Sequence, residues 1–466
     1  MESFWCELHR DSSVPLYEQL YTYIKSEITE GRLPYGTKLP SKRKMAEFLK
    51  VSQNTIETAY EQLQAEGYVE VKARKGYFVQ ASDELEYIPR HTKEEIKTLP
   101  SKEQYQYNFH PSQIDPREFP FDRWRKHARN VVAPENHHLL LLGDTLGEME
   151  LREEIRHYLY HSRGVKCHPD QIVVGAGVEV LLQQLVLLLG SDKIYGIEDP
   201  GYHMMLKIIQ HYPNEAIPIS VDAEGVQVEQ LQDLNVDIVY TTPSHHFPYG
   251  SVLSINRRHK LLTWAEENTE RYIIEDDYDS EFRYSGKTIP SLHSMDRTEK
   301  VIYLGTFSKS LMPSIRISYM VLPNNLLDIF KQKFAHYHST VSRIDQVILA
   351  SFMKSGDFEK HLNRMRKIYR KKLEKVLSLL KTYEESIQLI GEHSGLHIVL
   401  KINNDHTENE LIDLSAKANM KVYPLSNYSL KKGVQDAPQF LLGFAHIPEH
   451  ELERAINQLL KAWHFK

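Results

Sequence analysis

The first eighty residues carry apolar side chains at a helical spacing that is broken twice. Leucine and isoleucine recur every four residues over 16–28, which predicts an amphipathic helix. A second helix is predicted over 42–50, with Ser41 as its N-cap, and a third begins at Ser52 and ends before Gly67. Because only the short turn 51–52 separates these two helices, the stretch predicts a helix-turn-helix.

After the third helix the pattern changes to a period of two. Residues 68–71 and 77–79 alternate apolar and polar side chains around a basic, glycine-containing turn, which predicts a hairpin with a cationic tip. A hairpin beside a helix-turn-helix is typical of a winged helix, whose basic side chains neutralise DNA phosphates. The alternative is a helical extension with an ordinary solvated face, which turn and wing together disfavour. The candidate DNA contacts are Lys42, Arg43, Ser52, Gln53, Asn54, Thr55, Arg74 and Lys75.

Farther along, a short apolar run at 272–274 predicts a buried strand that leads into an acidic cluster at 275–279. Carboxylates at the end of a strand in an α/β fold lie where such folds bind ligands. Asp276 is the candidate to face a pyridine nitrogen and keep it protonated, and Tyr278 is the candidate to reach the phenolic oxygen of the same ring. The alternative is that the cluster only caps a strand or helix.

A second segment, 305–310, ends another apolar run and combines hydroxyls with a lysine. Thr306 and Ser308 can donate to a phosphate, Arg316 can neutralise its charge, and Lys309 can form a Schiff base with an aldehyde. Together the two segments predict pyridoxal 5'-phosphate as the cofactor.

These segments resemble fold type I aminotransferases, and the resemblance extends to three other stretches. Residues 172–179 are similar to the family's strand, glycine turn and helix start, which implies that Gly177 and Val178 receive the phosphate. Residues 198–202 are similar to the segment whose aromatic side chain stacks on the ring, which implies that role for Tyr202. Residues 142–152 resemble the turn that precedes a long helix near the substrate entrance.

The N-terminal region resembles the GntR type of winged helix-turn-helix, notably at 39–43. A winged helix followed by an aminotransferase-like domain resembles the MocR/GabR family of bacterial transcription regulators, over nearly all 466 residues. The implied fold class is α/β, with a winged helix followed by a large, mostly parallel sheet and a smaller C-terminal α/β subdomain. The expected divisions are 12–80 for the DNA-binding domain, 81–104 for a linker and 105–466 for the effector domain.

Composition limits the class of protein and its compartment but does not define its function. With 41% hydrophobic residues and a net charge of -6, the chain can build a real core, and its basic residues matter locally rather than in sum. Neither a long apolar span nor a basic leader is present, so we expect a cytoplasmic protein without membrane insertion. Two cysteines are too few for a disulfide framework, and they suggest a reducing compartment. The pairs 137–138 and 245–246 lack the spacing of metal ligands, so we expect surface or pocket histidines and no metal.

Two departures from the resembled families bear on the effector. Phe247 stands where most fold type I aminotransferases have an asparagine that contacts the ring oxygen, which leaves Tyr278 to serve that oxygen. His446 stands where the family ends in an arginine, and His203 follows Tyr202 where a γ-aminobutyrate sensor would have more arginine. Since a neutral imidazole does not reproduce a bidentate guanidinium contact, we expect an effector other than γ-aminobutyrate. Candidates are an amine, an amino acid derivative held differently, or pyridoxal phosphate itself. A misalignment by a few residues, or an arginine from a partner subunit, is the alternative.

The resemblance also implies partners. GabR-like proteins form head-to-tail homodimers, and two winged helices in one dimer require double-stranded DNA with two half-sites. Gln53 replaces an arginine of many relatives, which shifts more of the readout to Asn54 and Thr55. A catalytically active aminotransferase with an appended DNA-binding domain remains the alternative function.

Overall fold

The computed structural model describes residues 8–80, 105–286, 289–430 and 437–465. The chain divides into two compact units, Met1–Glu103 and Gln104–Lys466. The linker expected over 81–104 lies outside the described residues. Within the described ranges, no helix combines the length and apolarity needed to cross a membrane.

The N-terminal unit packs three helices against a two-stranded sheet. Its elements are α1 (Leu16–Thr29), α2 (Lys42–Leu49), α3 (Gln53–Ala65), β1 (Val69–Lys72) and β2 (Gly76–Val79).

The apolar repeat of this unit forms its core. Leu20 and Ile24 of α1 are fully buried together with Ile56 and Leu63 of α3. Strands β1 and β2 pair antiparallel, which confirms the predicted winged helix. Two bounds differ from the sequence prediction: α2 ends at Leu49 with Lys50 as a left-handed cap, and the strands extend inward to shorten the turn to 73–75.

The C-terminal unit contains the remaining elements. Its helices are α4 (Phe121–Val131), α5 (Met149–Arg163), α6 (Val178–Leu189), α7 (Met204–Ile209), α8 (Glu229–Asp233), α9 (Ile255–Glu266), α10 (Asn324–Lys333), α11 (Arg343–Lys354), α12 (Asp357–Leu380), α13 (Glu408–Lys417) and α14 (Glu449–Ala462). Its strands are β3 (Tyr107–Asn108), β4 (Ile172–Gly175), β5 (Ile194–Asp199), β6 (Glu215–Asp222), β7 (Gly225–Val226), β8 (Ile238–Thr241), β9 (Tyr272–Asp277), β10 (Val301–Thr306), β11 (Ser318–Val321), β12 (Ile387–Ile390), β13 (His397–Ile402), β14 (Met420–Lys421), β15 (Tyr423–Pro424) and β16 (Gln439–Gly443).

The large sheet has the strand order β4-β11-β10-β9-β8-β5-β6-β7. Strands β10, β9, β8, β5 and β6 run parallel, whereas β11 runs antiparallel to both β10 and β4. The strands read as continuous apolar runs because both of their faces are buried. A smaller antiparallel sheet, β12-β13-β16-β15, shares its core with α12 and α14. The predicted mixed, mostly parallel sheet with a smaller C-terminal subdomain is confirmed.

This topology decides where chemistry can occur. The carboxyl ends of β4, β5, β8, β9 and β10 lie along one edge of the large sheet because these strands point the same way. Register places Asp276 of β9 beside Leu304 of β10, two residues before Thr306. The acidic cluster and the lysine segment are therefore neighbours in space.

Candidate functional site

A cavity of about 200 Å³ opens at the carboxyl edge of the large sheet. It gathers residues from β9, from the turns after β4, β5, β8 and β10, and from the N-terminal stretch of the unit. Its lining residues are Pro111, Ser112, Val178, Glu179, Tyr202, Phe247, Asp276, Tyr278, Thr306, Ser308, Lys309, Pro313 and Arg316.

Asp276 is the buried acid of this cavity, with 4% of its surface exposed. One carboxylate oxygen, Oδ2, accepts a hydrogen bond from the Tyr240 hydroxyl, whereas the other, Oδ1, is buried and has no partner in the part of the chain that the structure describes. Burial raises the pKa of Asp276 to about 7; Asp277 and Asp279 add to the rise, and the Tyr240 hydrogen bond opposes it. An unpaired buried oxygen is costly, so this one suits a ligand that donates a proton to it.

The other carboxylates of the acidic cluster have structural partners. Side chains alternate along β9, so Glu275 and Asp277 point away from Asp276. Glu275 accepts the backbone N–H groups of Leu292 and His293, at 2.8 Å each. Asp277 pairs with Arg163 at 2.6 Å. Of the three acidic residues of β9, Asp276 is the one that lines the cavity.

Lys309 lies after β10, and its Nζ donates to the carbonyl oxygen of Ser112 at 3.0 Å. Burial lowers the pKa of Lys309 to about 8, and the carboxylates of Asp279 and Asp276 limit the fall. An amine with this pKa supplies far more free base near neutral pH than an ordinary lysine does. It is suited to nucleophilic attack on an aldehyde.

Three hydroxyls form a polar corner beside Lys309. The Ser308 backbone N–H and the Ser318 hydroxyl both donate to Thr306 Oγ1, at 3.1 and 2.9 Å. The Thr306 hydroxyl lies 3.0 Å from Ser308 Oγ and donates to it. A phosphate here would meet the lining hydroxyls of Thr306 and Ser308, with Ser318 bonded to Thr306 behind them.

The turn between β4 and α6 completes this corner. Gly177 has a φ of 95° and leads into α6, whose first residue Val178 lines the cavity. A Cβ on Gly177 would lie 2.0 Å from Arg316 Nη2, so the space over the helix start holds only a glycine. The Arg316 guanidinium pairs with Glu179 at 2.5 Å, which places one cation at the start of the helix. Helix starts with a nearby arginine favour anions.

Aromatic rings form the remaining wall. Tyr202 and Phe247 meet edge to face with ring centroids 5.9 Å apart, and Tyr278 lies 6.2 Å from Phe247. The Tyr278 hydroxyl lies 2.9 Å from His245 Nδ1. A flat aromatic ligand would lie among these three rings.

Every predicted cofactor residue except Gly177 lines this cavity, and Gly177 directly precedes the lining residue Val178. The donor set fits pyridoxal phosphate: an amine for its aldehyde, an unpaired carboxylate oxygen for its ring nitrogen, and hydroxyls with an arginine for its phosphate. The unpaired Asp276 oxygen and the close approach of the Arg316 guanidinium to Gly177 are the two observations that support the fit.

The predicted effector residues separate. Phe247 lines the cavity, whereas His203 and His446 are not among its lining residues. His203 precedes α7, and His446 follows β16 with its carbonyl oxygen bound by Arg117 at 3.2 Å. Burial lowers the pKa of both imidazoles, which keeps them neutral.

The histidine pair 245–246, expected at the surface or in a pocket, lies in the interior. Both rings are buried, with 4% and 2% exposure. Burial lowers the pKa of His246 to about 3. Among the described residues, no group of three or more His, Cys, Asp or Glu side chains is placed to hold a metal ion.

In the N-terminal unit, the predicted DNA contacts lie at two places. Gln53 and Asn54 are exposed at the start of α3, and Thr55 is partly buried. Ser52 caps α3: its Oγ accepts the Thr55 backbone N–H at 3.2 Å. Its hydroxyl therefore has a structural task that the sequence prediction of a DNA contact did not include.

The basic residues of this unit are mostly accessible. Arg43 is 79% exposed and contacts Glu47 one turn along α2, whereas Lys42 pairs with Glu57 of α3. Arg74 and Lys75 are exposed at the tip of the wing, where Arg74 adopts a left-handed φ of 61°. Exposed cations at a helix start and a wing tip can contact phosphates without loss of buried interactions.

Several residues of the cavity escaped sequence analysis. These residues bind the side chains of the site: Tyr240 bonds Asp276, and Ser318 bonds Thr306. Ser112 accepts from Lys309, and Glu179 pairs with Arg316. Ser112 lies 197 positions from Lys309, and no local pattern points to such a partner. Tyr240 offers a weak signal, because it ends the short apolar run 238–240.

Family comparisons divide the chain in the same way. The model of the bacterial regulatory proteins of the gntR family matches residues 16–79, and that of aminotransferase class I and II matches 112–459.

The whole chain resembles regulators of this composition. It is 43% identical to the uncharacterized HTH-type transcriptional regulator YdeL of Bacillus subtilis (strain 168), over 98% of each chain. It is 30% identical to the HTH-type pyridoxine biosynthesis transcriptional regulator PdxR of Corynebacterium glutamicum, over 97% of each chain.

Among solved structures, an archaeal alanine:glyoxylate aminotransferase superposes with a TM-score of 0.70 at 24% identity, covering 77% of this chain and 91% of that one. This likeness supports the fold of the C-terminal unit. With a winged helix of the gntR family joined to an aminotransferase class I and II domain, the chain belongs to the MocR family of transcription regulators.

Proposed function

We propose that this regulator holds pyridoxal phosphate on Lys309 and senses a small molecule through it. The buried, unpaired Oδ1 of Asp276 carries the proposal, because it faces the same cavity as Lys309 and needs a donor. When bound, pyridoxal phosphate supplies an aldehyde that combines with primary amines and a ring that withdraws electrons.

Each residue of the cavity has a role in this proposal. The Lys309 amine holds the aldehyde carbon, Asp276 keeps the ring nitrogen protonated, and Tyr202 stacks on the ring. Tyr278 donates to the ring oxygen. The phosphate is received by the backbone at 177–178, the hydroxyls of Thr306 and Ser308, and Arg316.

The charged residues around the cavity favour an effector that does not depend on a free arginine to bind a carboxylate. Lys309 and Arg316 are the cations among the described lining residues, and Arg316 pairs with Glu179. Near His446, Arg117 and Lys372 both bind Asp115, at 2.8 and 3.0 Å. We infer an amine, an amino acid derivative held by other contacts, or pyridoxal phosphate itself. The name of the relative PdxR supports the last of these.

DNA contact is proposed for the 12–80 domain, through the start of α3 and the wing. Arg43 suits a phosphate contact because it is exposed and pairs, among the described residues, with Glu47 one turn away on the same helix. In this proposal Gln53 and Asn54, which are exposed at the start of α3, reach base edges, while Arg74 and Lys75 reach phosphates.

A homodimer of head-to-tail form is proposed as the acting species. Leu140, Leu141 and Leu142 are 77%, 69% and 74% exposed, and Phe121 and Val132 are exposed as well. So much exposed apolar surface suits burial against a second copy. An operator with two half-sites follows from such a dimer.

The decisive experiment records the visible absorbance of the pyridoxal phosphate-loaded protein while amines, amino acids and dipeptides are added singly. We expect one class of compound to give a stable new spectrum and to change DNA affinity. Lys309→Ala should abolish the spectral response, and Arg43→Ala should abolish operator binding while the spectrum stays. Regulation in cells that survives Lys309→Ala unaltered would refute the proposed sensing.

An active aminotransferase is the second candidate, favoured by the free-base character of Lys309. The pKa of this amine near 8 suits proton transfer as well as cofactor attachment. Steady conversion of the cofactor to its aminated form, reversed by a keto acid, would establish this alternative. A stable spectrum without such conversion favours the regulator.

A further inference from the structure

A buried cluster of three side chains lies behind the aromatic wall of the cavity. His245 Nδ1 lies 2.7 Å from Asp279 Oδ1 and 2.9 Å from the Tyr278 hydroxyl oxygen. His245 and Asp279 are 4% and 2% exposed, so neither contact competes with bulk water. Tyr278 alone of the three lines the cavity.

Donor and acceptor rules decide how this cluster is protonated. An ionised carboxylate only accepts, so the proton between Asp279 and His245 must lie on Nδ1. Since Nδ1 then has no lone pair in the ring plane to offer, the Tyr278 oxygen must accept from the same N–H. The tyrosine proton is left to point elsewhere.

The other imidazole nitrogen agrees with this arrangement. His245 Nε2 is buried and has no hydrogen-bond partner among the described residues. A Cβ on Gly395 would lie 2.9 Å from Nε2, so glycine backbone closes this side. A protonated Nε2 would be a buried donor with nothing to accept it, which is the less favourable tautomer.

The direction of the Tyr278 hydroxyl proton matters because the neighbouring wall residue, Phe247, cannot donate a hydrogen bond. It forms the wall next to Tyr278, with ring centroids 6.2 Å apart, and its side chain has no polar atom. Burial raises the pKa of Tyr278 well above its ordinary value, with Asp279 and Asp276 adding to the rise, so the phenol remains a donor. Since Tyr202 is proposed to stack on the ring, the donor to the ring oxygen on this wall must come from Tyr278.

We propose that His245, fixed by Asp279, is a positioning residue that turns the Tyr278 hydroxyl proton into the cavity, toward the ring oxygen of the cofactor. The inference rests on the proposed binding of pyridoxal phosphate. It assigns to the His245–Asp279 pair the task of keeping one strong donor on a wall where Phe247 offers none.

The test uses the full-length protein loaded with pyridoxal phosphate and titrates its visible absorbance against pH. A donor to the ring oxygen stabilises its negative charge and so lowers the pKa of the protonated nitrogen that joins Lys309 to the cofactor. Losing the donor should raise the midpoint by about one pH unit, the effect of one hydrogen bond to a charged group. Tyr278→Phe gives the full shift for comparison.

Two variants of His245 form a matched pair. In His245→Asn the amide nitrogen can take the place of Nδ1, whereas in His245→Gln it takes the place of Nε2. We expect His245→Gln to shift the midpoint upward nearly as far as Tyr278→Phe, and His245→Asn to stay near the wild type. In a Tyr278→Phe background, His245→Gln should add nothing further.

The surrounding ionisable groups stay in place in all of these variants. They are Asp276, Asp279, Lys309, His397, Arg163 and Arg283. His397→Gln is the control, because its Nε2 contacts the Pro248 carbonyl oxygen at 3.0 Å and its ring lies 6.0 Å from that of His245. Its midpoint should match the wild type.

A midpoint in His245→Gln equal to that of the wild type, or a shift that adds to that of Tyr278→Phe, overturns the inference. Nitrogen NMR of the His245 ring in cofactor-free protein is a second measurement that does not depend on loading. A proton on Nδ1 is expected, and a proton on Nε2 overturns the inference. If the wild type takes up no pyridoxal phosphate, the proposed function fails and the inference fails with it.

Discussion

Burial shifts the pKa values of two cavity side chains, Asp276 and Lys309, toward each other. Burial raises the pKa of Asp276 to about 7 and lowers that of Lys309 to about 8. Both shifts have the same cause, because a buried site disfavours the charged form of an acid and of a base alike. The two groups consequently titrate near neutral pH, where the chemistry of a bound aldehyde requires both forms.

Asp276 should destabilise the cofactor-free protein as the pH rises. Its pKa is raised on folding, so its contribution to stability is present below about pH 4 and is lost as the pH rises through 7. Asp276→Asn removes this dependence and should stabilise the protein at pH 8, relative to pH 5, by about 2 kcal/mol. Urea unfolding at the two pH values measures the difference. Equal differences between variant and wild type at both would contradict the assignment.

The same variant should bind pyridoxal phosphate more weakly, since an amide cannot keep the ring nitrogen protonated. Tyr240→Phe is the matched control for the network: it removes the hydrogen bond to Oδ2 and keeps the carboxylate.

Lys309 should set the pH dependence of cofactor uptake. The neutral amine is the attacking species, so the rate of pyridoxal phosphate uptake should rise about tenfold per pH unit up to about 8 and then level off. Stopped-flow absorbance measures the rate. N-acetyl-lysine methylamide is the reference, whose rate should rise to about pH 10. A protein rate that rises equally far would show that Lys309 is not shifted.

At the scale of elements, the site depends on the turns where strands of the large sheet pass into helices. The turn after β4 places Gly177 against Arg316, and α6 begins at the next residue. Such a turn combines a positive φ with an open helix start, which only glycine satisfies without strain.

Gly177→Ala should lower the affinity for pyridoxal phosphate about tenfold or more, because its Cβ would lie 2.0 Å from Arg316 Nη2. Gly190→Ala is a matched control at the other end of α6: its φ is 96°, close to the 95° of Gly177, and nothing lies within 4 Å of its Cβ. Titration of visible absorbance gives both affinities. Equal losses would mean that backbone strain, rather than the contact with Arg316, is responsible.

The start of α3 combines a structural and a functional task. Ser52→Ala should destabilise the N-terminal unit by about 1 kcal/mol because the cap to Thr55 is lost. Ser52→Asp keeps a cap but places a negative charge near the DNA, so stability should be retained and DNA affinity should fall. Thermal unfolding and a DNA titration separate the two effects. Undiminished affinity in Ser52→Asp would remove this position from the proposed interface.

Sequence analysis predicted the elements and the cofactor segments because both are local. Lys309, Thr306 and Ser308 are contiguous with a strand end, and the winged helix follows from periods of 3.6 and 2. The partners of the site residues are far away along the chain. Tyr240 is 36 positions from Asp276, and Glu179 is 137 positions from Arg316. Pairing at such separations is decided by strand order, which no local pattern contains.

The whole molecule joins two compact units, and the proposed dimer would bring two winged helices to one operator. A dimer with two winged helices should require half-sites on a defined face of the duplex. Inserting about five base pairs between the half-sites should weaken binding strongly, and about ten should restore part of it, since the duplex turns once per 10–10.5 base pairs. Gel shift with the three operators tests this. Indifference to the five-pair insertion would argue against two half-sites bound by one dimer.

Strand β9 carries Asp276 and Asp277 side by side, one toward the cavity and the other toward Arg163. The two residues are chemically alike, so their tasks are assigned by odd or even position along the strand and not by side-chain type. Deleting one residue upstream within β9 would move Asp277 into the place of Asp276 and Tyr278 into the place of Asp277. A carboxylate would still face the cavity, but Arg163 would lose its counter-ion. A change in the length of this strand keeps its acidic residues but alters which of them faces the cavity.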